Sequence, residues 1–164
     1  MSVVIGLVNP KSPSNVGAVM RAAGCYQASE VRYSGERFAR AAKFQTDTKN
    51  ISSKIPLKAT NDLTADLSGD VRIVCVELVE GATPLPEFEH PENALYIFGP
   101  EDGSIPQDIV SKAHAVVYVP TIGCMNLAAT TNVLLYDRLA KSSTEINHQE
   151  RILNSRDSNN RLVV

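Results

Sequence analysis

The sequence predicts an α/β fold, with a mainly parallel sheet flanked by helices. Three observations carry that expectation. Val3–Val8 (VVIGLV), Val71–Leu78 (VRIVCVEL), Ala94–Phe98 (ALYIF) and Ala115–Val119 (AVVYV) are almost wholly apolar, as strands covered on both faces are. Stretches of helical periodicity alternate with them. The length of 164 residues, with 43% apolar and 21% charged side chains, suits one ordinary globular domain and excludes a wholly disordered chain.

The elements follow in order. After the first strand, Asn9–Ser14 (NPKSPS) has loop chemistry, with two prolines, Asn and Ser. Asn15 suits the N-cap of a helix over 16–25, whose Val16, Val19, Met20 and Ala23 share one side. Ala28–Tyr33 reads as the second strand. Gly35–Phe44 reads as a helix carrying Arg37, Arg40 and Lys43. Lys54–Lys58 reads as a short strand and Asn61–Leu67 as a short helical segment. Beyond the strands at 71–78 and 94–98, Pro106 opens a helix that runs to about Lys112. Pro120 closes the strand at 115–119, and Leu127–Lys141 forms the last long helix, with Arg138 and Lys141 near its C-terminus. Residues 1–141 make one domain. Residues 142–164 make an extension, with an amphipathic helix near 145–154 and a polar end.

Composition excludes several classes. No apolar run approaches the ~18 residues of a membrane helix, and the N-terminus lacks a basic, cleavable leader, so the expectation is a soluble cytoplasmic protein without membrane contact. Cys25, Cys75 and Cys124 are odd in number and form no CxxC pair; His90, His114 and His148 lie far apart. Neither a disulfide framework nor a metal site is expected. The net charge of −2 hides a gradient: residues 1–60 hold nine Lys/Arg against three Asp/Glu, and residues 61–110 hold one against eleven. That asymmetry suits a polyanion partner on one face as well as it suits a merely dipolar surface.

Three segments at strand ends carry the chemistry, because sites of open parallel sheets form at the carboxyl ends of strands. They are Asn9–Gly17 followed by Arg21, Phe98–Pro106 (FGPEDGSIP), and Val119–Leu127 (VPTIGCMNL). Neither GxGxxG, nor GxxxxGK[ST], nor GxSxG occurs, so a dinucleotide site, a P-loop and a serine elbow lack support.

Taken together and in this order, the segments Asn15-Val-Gly17-Ala-Val-Met-Arg21, Ile97-Phe-Gly99-Pro-Glu101-Asp-Gly103-Ser-Ile-Pro106 and Val119-Pro120 through Asn126-Leu127-Ala128-Ala129 resemble the three motifs of the SpoU (TrmH-like) family of the SPOUT superfamily, S-adenosylmethionine-dependent RNA ribose 2′-O-methyltransferases. The resemblance covers about residues 3–141. It implies an α/β knot with a C-terminal trefoil, a homodimer, and S-adenosylmethionine as methyl donor without a metal. It also implies catalytic roles for Arg21, Asn15, Glu101 and Asn126, and a donor site lined by Leu78, Gly99, Val119, Gly123, Met125 and Leu127. Arg21 is the residue expected to be essential, with Glu101 holding Arg21 or a partner-subunit loop. The basic stretch with Arg32, Arg37, Arg40 and Lys43 is expected to contact RNA phosphates. The expectation is a single domain with no separate RNA-binding domain, which favours an exposed RNA loop such as that of a tRNA over a site in rRNA. The chain departs from the family in having Cys124-Met125-Asn126 where Ser-Leu-Asn is usual, so a weak S–H donor replaces a hydroxyl. Two other readings stay open: methylation of a base nitrogen, and a donor- and RNA-binding protein with weak or lost catalysis.

Overall fold

Alternation within the apolar runs builds the architecture. In a computed structural model, which describes residues 2–42, 55–143, 146–162 and 164, the described residues form strands β1 (Val3–Leu7), β2 (Glu30–Tyr33), β3 (Leu57–Ala59), β4 (Arg72–Val76), β5 (Thr83–Pro84), β6 (Ala94–Phe98) and β7 (Ala115–Tyr118). They make one sheet in the order β3-β2-β1-β6-β4-β7-β5, every pairing parallel. Ile5, Leu7, Val74, Val76, Tyr96 and Phe98 face one side, whereas Val4, Ile73, Cys75, Leu95 and Ile97 face the other. Both sides are buried, so no polar alternation is left in the sequence. Each such side chain taken fully from water contributes about 1.5–3 kcal/mol.

The first face is covered by α1 (Pro13–Cys25) and α4 (Leu127–Ala140), which pack on each other. Leu63, Ile105 and the flank of α3 (Gln107–Val110) cover the second. Phe38 of α2 (Arg37–Ala42) is buried edge-on to Tyr33, with ring centroids 4.9 Å apart. Among the described residues no helix is long and apolar enough to cross a membrane.

Several boundaries differ from the sequence reading. Helix α1 starts earlier than expected: Ser12 is its N-cap, its hydroxyl accepting from the Asn15 N–H, and Pro13 occupies the first turn. Asn15 is therefore inside the helix, and its side chain is free for other work. Residues 61–67 form turns rather than a helical segment, because Asp62 Oδ1 accepts from both the N–H and the hydroxyl of Thr64. Strand β5 and a 3-10 turn at Leu85–Glu87 were not expected. Residues 43–54, with Lys43, Phe44, Lys49 and Lys54, lie outside the described residues. In the extension, α5 (His148–Ser155) leaves Ile152 and Leu153 exposed.

Two features position the site. Gly35 has φ +77°, and a Cβ there would stand 2.2 Å from Asn9 Oδ1, so only glycine fits. The second is the placing of β7. It inserts between β4 and β5, which follow each other in sequence, so the chain from Glu77 to Ala82 crosses the slot that β7 fills.

A buried polar network fastens α4 to the segment after β5. Arg138, 9% exposed, donates to the carbonyls of Pro91 and Glu92 and to the Tyr96 hydroxyl. That hydroxyl lies 2.7 Å from His90 Nδ1, and His90 Nε2 lies 2.9 Å from Asp137 Oδ2. Lys141 donates to the carbonyls of Leu85 and Phe88 and pairs with Asp137. Burial lowers the His90 pKa against the pull of Asp137, and burial raises that of Tyr96 to about 12 despite Arg138. One proton arrangement satisfies every group. The Tyr96 hydroxyl accepts from Arg138 and donates to Nδ1 of a neutral imidazole, whose Nε2–H donates to Asp137.

Candidate active site

Strand register sets the level of the site. Leu7 pairs with Phe98, Phe98 with Val76, and Val76 with Val117, so four strands end together. The four connections that leave there meet at one edge of the sheet, and the three sequence segments are among them.

Glu101 sits at the N-terminus of α1. Its carboxylate accepts from the backbone N–H groups of Lys11 (2.8 Å) and Ser12 (3.0 Å) and from Asn15 Nδ2 (3.0 Å). Such donors at a helix start favour an anion. Partial burial pushes the carboxyl up, but the bonds from Asn15 and the backbone outweigh it and hold the pKa below its ordinary value. Asn15 Oδ1 in turn accepts from Asn126 Nδ2 at 2.9 Å. Asn126 N-caps α4, its Oδ1 accepting from Ala128 N (2.9 Å) and Ala129 N (3.4 Å). Thus Glu101, Asn15 and Asn126, one from each segment, form a single hydrogen-bonded chain tying two helix starts to one loop.

Arg21 stands apart from that chain. It is exposed on α1, and among the described residues its guanidinium has no hydrogen-bond or ion-pair partner. Glu101 does not hold it, contrary to one sequence expectation; its carboxylate bonds the backbone of Lys11 and Ser12 and the amide of Asn15 instead.

A cleft opens beside the chain. It is lined by the loop after β4 (Glu77, Leu78), the loop after β6 (Gly99, Pro100, Glu101, Gly103) and the loop after β7 (Val119, Thr121, Gly123, Cys124, Met125), with Leu127 and Thr130 below. Leu78, Gly99, Val119, Gly123, Met125 and Leu127, the six residues expected to line the donor site, all border this one cleft. Its described lining holds two carboxylates and no Lys, Arg or His. A Cβ built on Gly123 would meet nothing within 4 Å, so only open space follows that backbone. Leu78 is 66% exposed, an apolar side chain left bare at the wall. Cys124 is exposed, and Thr121 Oγ1 braces its loop by donating to the Gly123 carbonyl at 2.7 Å.

The expected basic strip is engaged internally. Arg32 pairs with Glu30 and donates to the carbonyls of Leu63 and Ala65. Arg37 grips Asp102 with two bonds of 2.8 and 2.9 Å and also donates to the Asn9 carbonyl. Those bonds from Arg37 lower the Asp102 pKa. Arg40 pairs with Glu36. Arg32 and Arg37 thus tie separate segments together, the Arg40–Glu36 pair is local and exposed, and Lys43 lies outside the described residues.

Glu77 is the site residue the sequence reading did not single out. It was the one charge at the carboxyl end of an apolar run, which was the available signal. Among the described residues, no group of His, Cys, Asp and Glu is placed to hold a metal ion.

The SpoU rRNA Methylase family model matches residues 2–136. No curated protein matches the chain. Among solved structures, the fold is similar to that of the SpoU methyltransferase AviRb from Streptomyces viridochromogenes in complex with AdoMet, with TM-score 0.71 and 15% identity over 85% of this chain and 57% of that one. It is similar to the A. aeolicus TrmH/SpoU tRNA modifying enzyme, with TM-score 0.68 and 16% identity over 96% of this chain and 80% of that one. It is also similar to a protein described for the 2-OH methylation of C/U34 on tRNA, with TM-score 0.69 and 19% identity over 85% and 89% of the two chains. At these identities the likeness is one of fold. The chain spans little more than half the length of some structures it matches, 56% for an rRNA methyltransferase from Sinorhizobium meliloti.

Proposed function

The chain belongs to the SpoU rRNA methylase family, and from that premise we propose that it transfers a methyl group from S-adenosylmethionine to a ribose 2′-hydroxyl of RNA, with tRNA favoured over rRNA. The observation that carries the proposal is the convergence of Glu101, Asn15 and Asn126 into one hydrogen-bonded chain beside a cleft bordered by all six expected donor-site residues.

The cleft fits the donor. Two carboxylates without a basic side chain suit a cation, the bare Leu78 suits an apolar ring, and the Gly123 backbone borders open space. When bound, S-adenosylmethionine supplies a methyl group already activated on a sulfonium. The protein is left to align the 2′-oxygen and stabilise it as its proton departs. Alignment of two reactants contributes up to roughly 7–11 kcal/mol.

Arg21 suits the second task. With no hydrogen-bond or ion-pair partner among the described residues, its guanidinium is available to a 2′-oxygen or its neighbouring phosphate and stabilises developing negative charge. Glu101 accepts from three donors at the start of α1 and serves to fix that helix, which carries Arg21. Asn15 and Asn126 hold the starts of α1 and α4 in one relation.

Three further elements belong to this reading. The β4–β5 connection, which spans the slot for β7, supports a trefoil thread. Val133 and Tyr136 of α4, both exposed, support a homodimer. Residues 142–164 form an extension outside the methyltransferase domain of residues 1–141.

The test is transfer of labelled methyl to small RNA, followed by digestion to nucleosides, with Arg21→Ala run beside the parent. A 2′-O-methylnucleoside that falls at least about 100-fold in the variant is expected. A methylated base overturns the ribose assignment. Donor binding without product across a broad RNA pool overturns the enzyme.

A further inference from the structure

Glu77 bridges two of the three loops around the cleft. It follows β4, and its Oε1 accepts from the Leu78 N–H of its own loop at 3.0 Å. Its Oε2 crosses to the loop after β6 and accepts from the Ile105 N–H at 2.9 Å. Its own N–H is held by the Val117 carbonyl of β7 at 3.0 Å, so the residue starts from a fixed point. Gly99 leaves room for the crossing: a Cβ there would stand in tight contact, 3.3 Å from both Glu77 Oε2 and the Ile105 nitrogen. Both Leu78 and Gly99 border the cleft.

We propose that Glu77 is a positioning residue for the methyl donor: one carboxylate clasps the β4 and β6 loops at a fixed separation and so sets the gap that the donor enters. The inference rests on the donor site assigned above. A carboxylate does this where an amide does not, because both backbone groups are donors and both oxygens must accept. Hydrogen bonds to a charged acceptor are the strong ones. The clasp shares no hydrogen bond with Arg21 or with the Glu101–Asn15–Asn126 chain, so its loss weakens donor binding and leaves the transfer step intact.

The experiment compares the parent protein with Glu77→Gln, Glu77→Asp and Glu77→Ala. Donor affinity is read by calorimetry, and KM for the donor and kcat at saturating donor by methyl transfer to RNA. Thermal melting without donor reports folding. Glu77→Ala raises the donor Kd and KM about tenfold or more and leaves kcat within about twofold. Glu77→Gln gives an intermediate loss, since one oxygen still accepts. Glu77→Asp separates reach from charge. It keeps the charge but is one methylene too short to span both loops, so it weakens the donor as Ala does. Parental donor affinity in Glu77→Asp overturns the clasp in favour of charge alone. Parental affinity in Glu77→Ala overturns the role altogether, as does a fall in kcat with KM unchanged. If Glu77→Ala does not fold, the Asp and Gln variants decide by the same readouts. A parent protein that binds no donor overturns the donor site itself, a result distinct from any of these.

Discussion

Replacing Tyr96 by Phe tests the network that fastens α4 to the segment after β5. The ring is fully buried, and Phe keeps its volume, so no cavity forms. Only the hydroxyl is lost, together with its 2.7 Å contact to His90 and its 2.9 Å bond from Arg138. A neutral hydrogen bond contributes about 1 kcal/mol and one to a charged group about 1.5–3 kcal/mol. Arg138 retains the Pro91 and Glu92 carbonyls, so the low end applies and the total is about 2–3 kcal/mol. For a chain of this size that lowers Tm by about 4–12 °C. Urea unfolding followed by circular dichroism reads the change as a lower midpoint at constant slope. A change below about 0.5 kcal/mol would refute the reasoning, because it would mean that the buried hydroxyl exchanges its two partners at no cost.

Two more outcomes follow from the geometry. His90 is held neutral by burial, so the unfolded chain binds its proton first; stability is present above the ordinary value of about 6.5 and falls as pH drops through that value toward the lower folded one. Melting at pH 7.5 and 5.5 shows the fall, and His90→Asn flattens it in this window, since Glu30 and Glu101 are lowered below 4.5 and titrate in more acid solution. Gly123→Ala meets no protein atom within 4 Å, so Tm stays within about 2 °C while donor KM rises about tenfold; parental KM would mean that the open space beside Gly123 is not donor space.

The sequence disclosed most where physics is local. Ala94–Phe98 was read to the residue, because an unbroken apolar run ends in Gly-Pro on one side and in Glu-Asn on the other. Strand β5 was not read, because two residues that include a proline have no strand pattern of their own; pairing of Thr83 with Val117 makes them one. Asn15 was assigned to the N-cap from local chemistry. Its partners, Glu101 and Asn126, lie 86 and 111 residues away, and that separation leaves no trace in periodicity. The arginines of 32–40 read as a free basic strip since charge counts do not show pairing, and Asp102, the partner of Arg37, lies 65 residues on. Motif order, by contrast, named six residues, Leu78, Gly99, Val119, Gly123, Met125 and Leu127, that the fold brings to one cleft.

The placing of β7 has a consequence for how the molecule opens. A strand at the edge of a sheet peels away alone, whereas β7 is bordered by β4 and β5 and crossed by the chain that joins them. It leaves only if that crossing segment lifts. The segment beyond β5 is tied to α4 through the carbonyls of Leu85, Phe88, Pro91 and Glu92. Strands β5 and β7, the crossing segment and α4 are therefore expected to open as one cooperative unit, whose amides report one common opening free energy in hydrogen–deuterium exchange. Two walls of the cleft, at Leu78 and at Val119–Leu127, belong to that unit. The cleft is thus lost in a single step, and a ligand that holds it shut protects a helix and two strands at once.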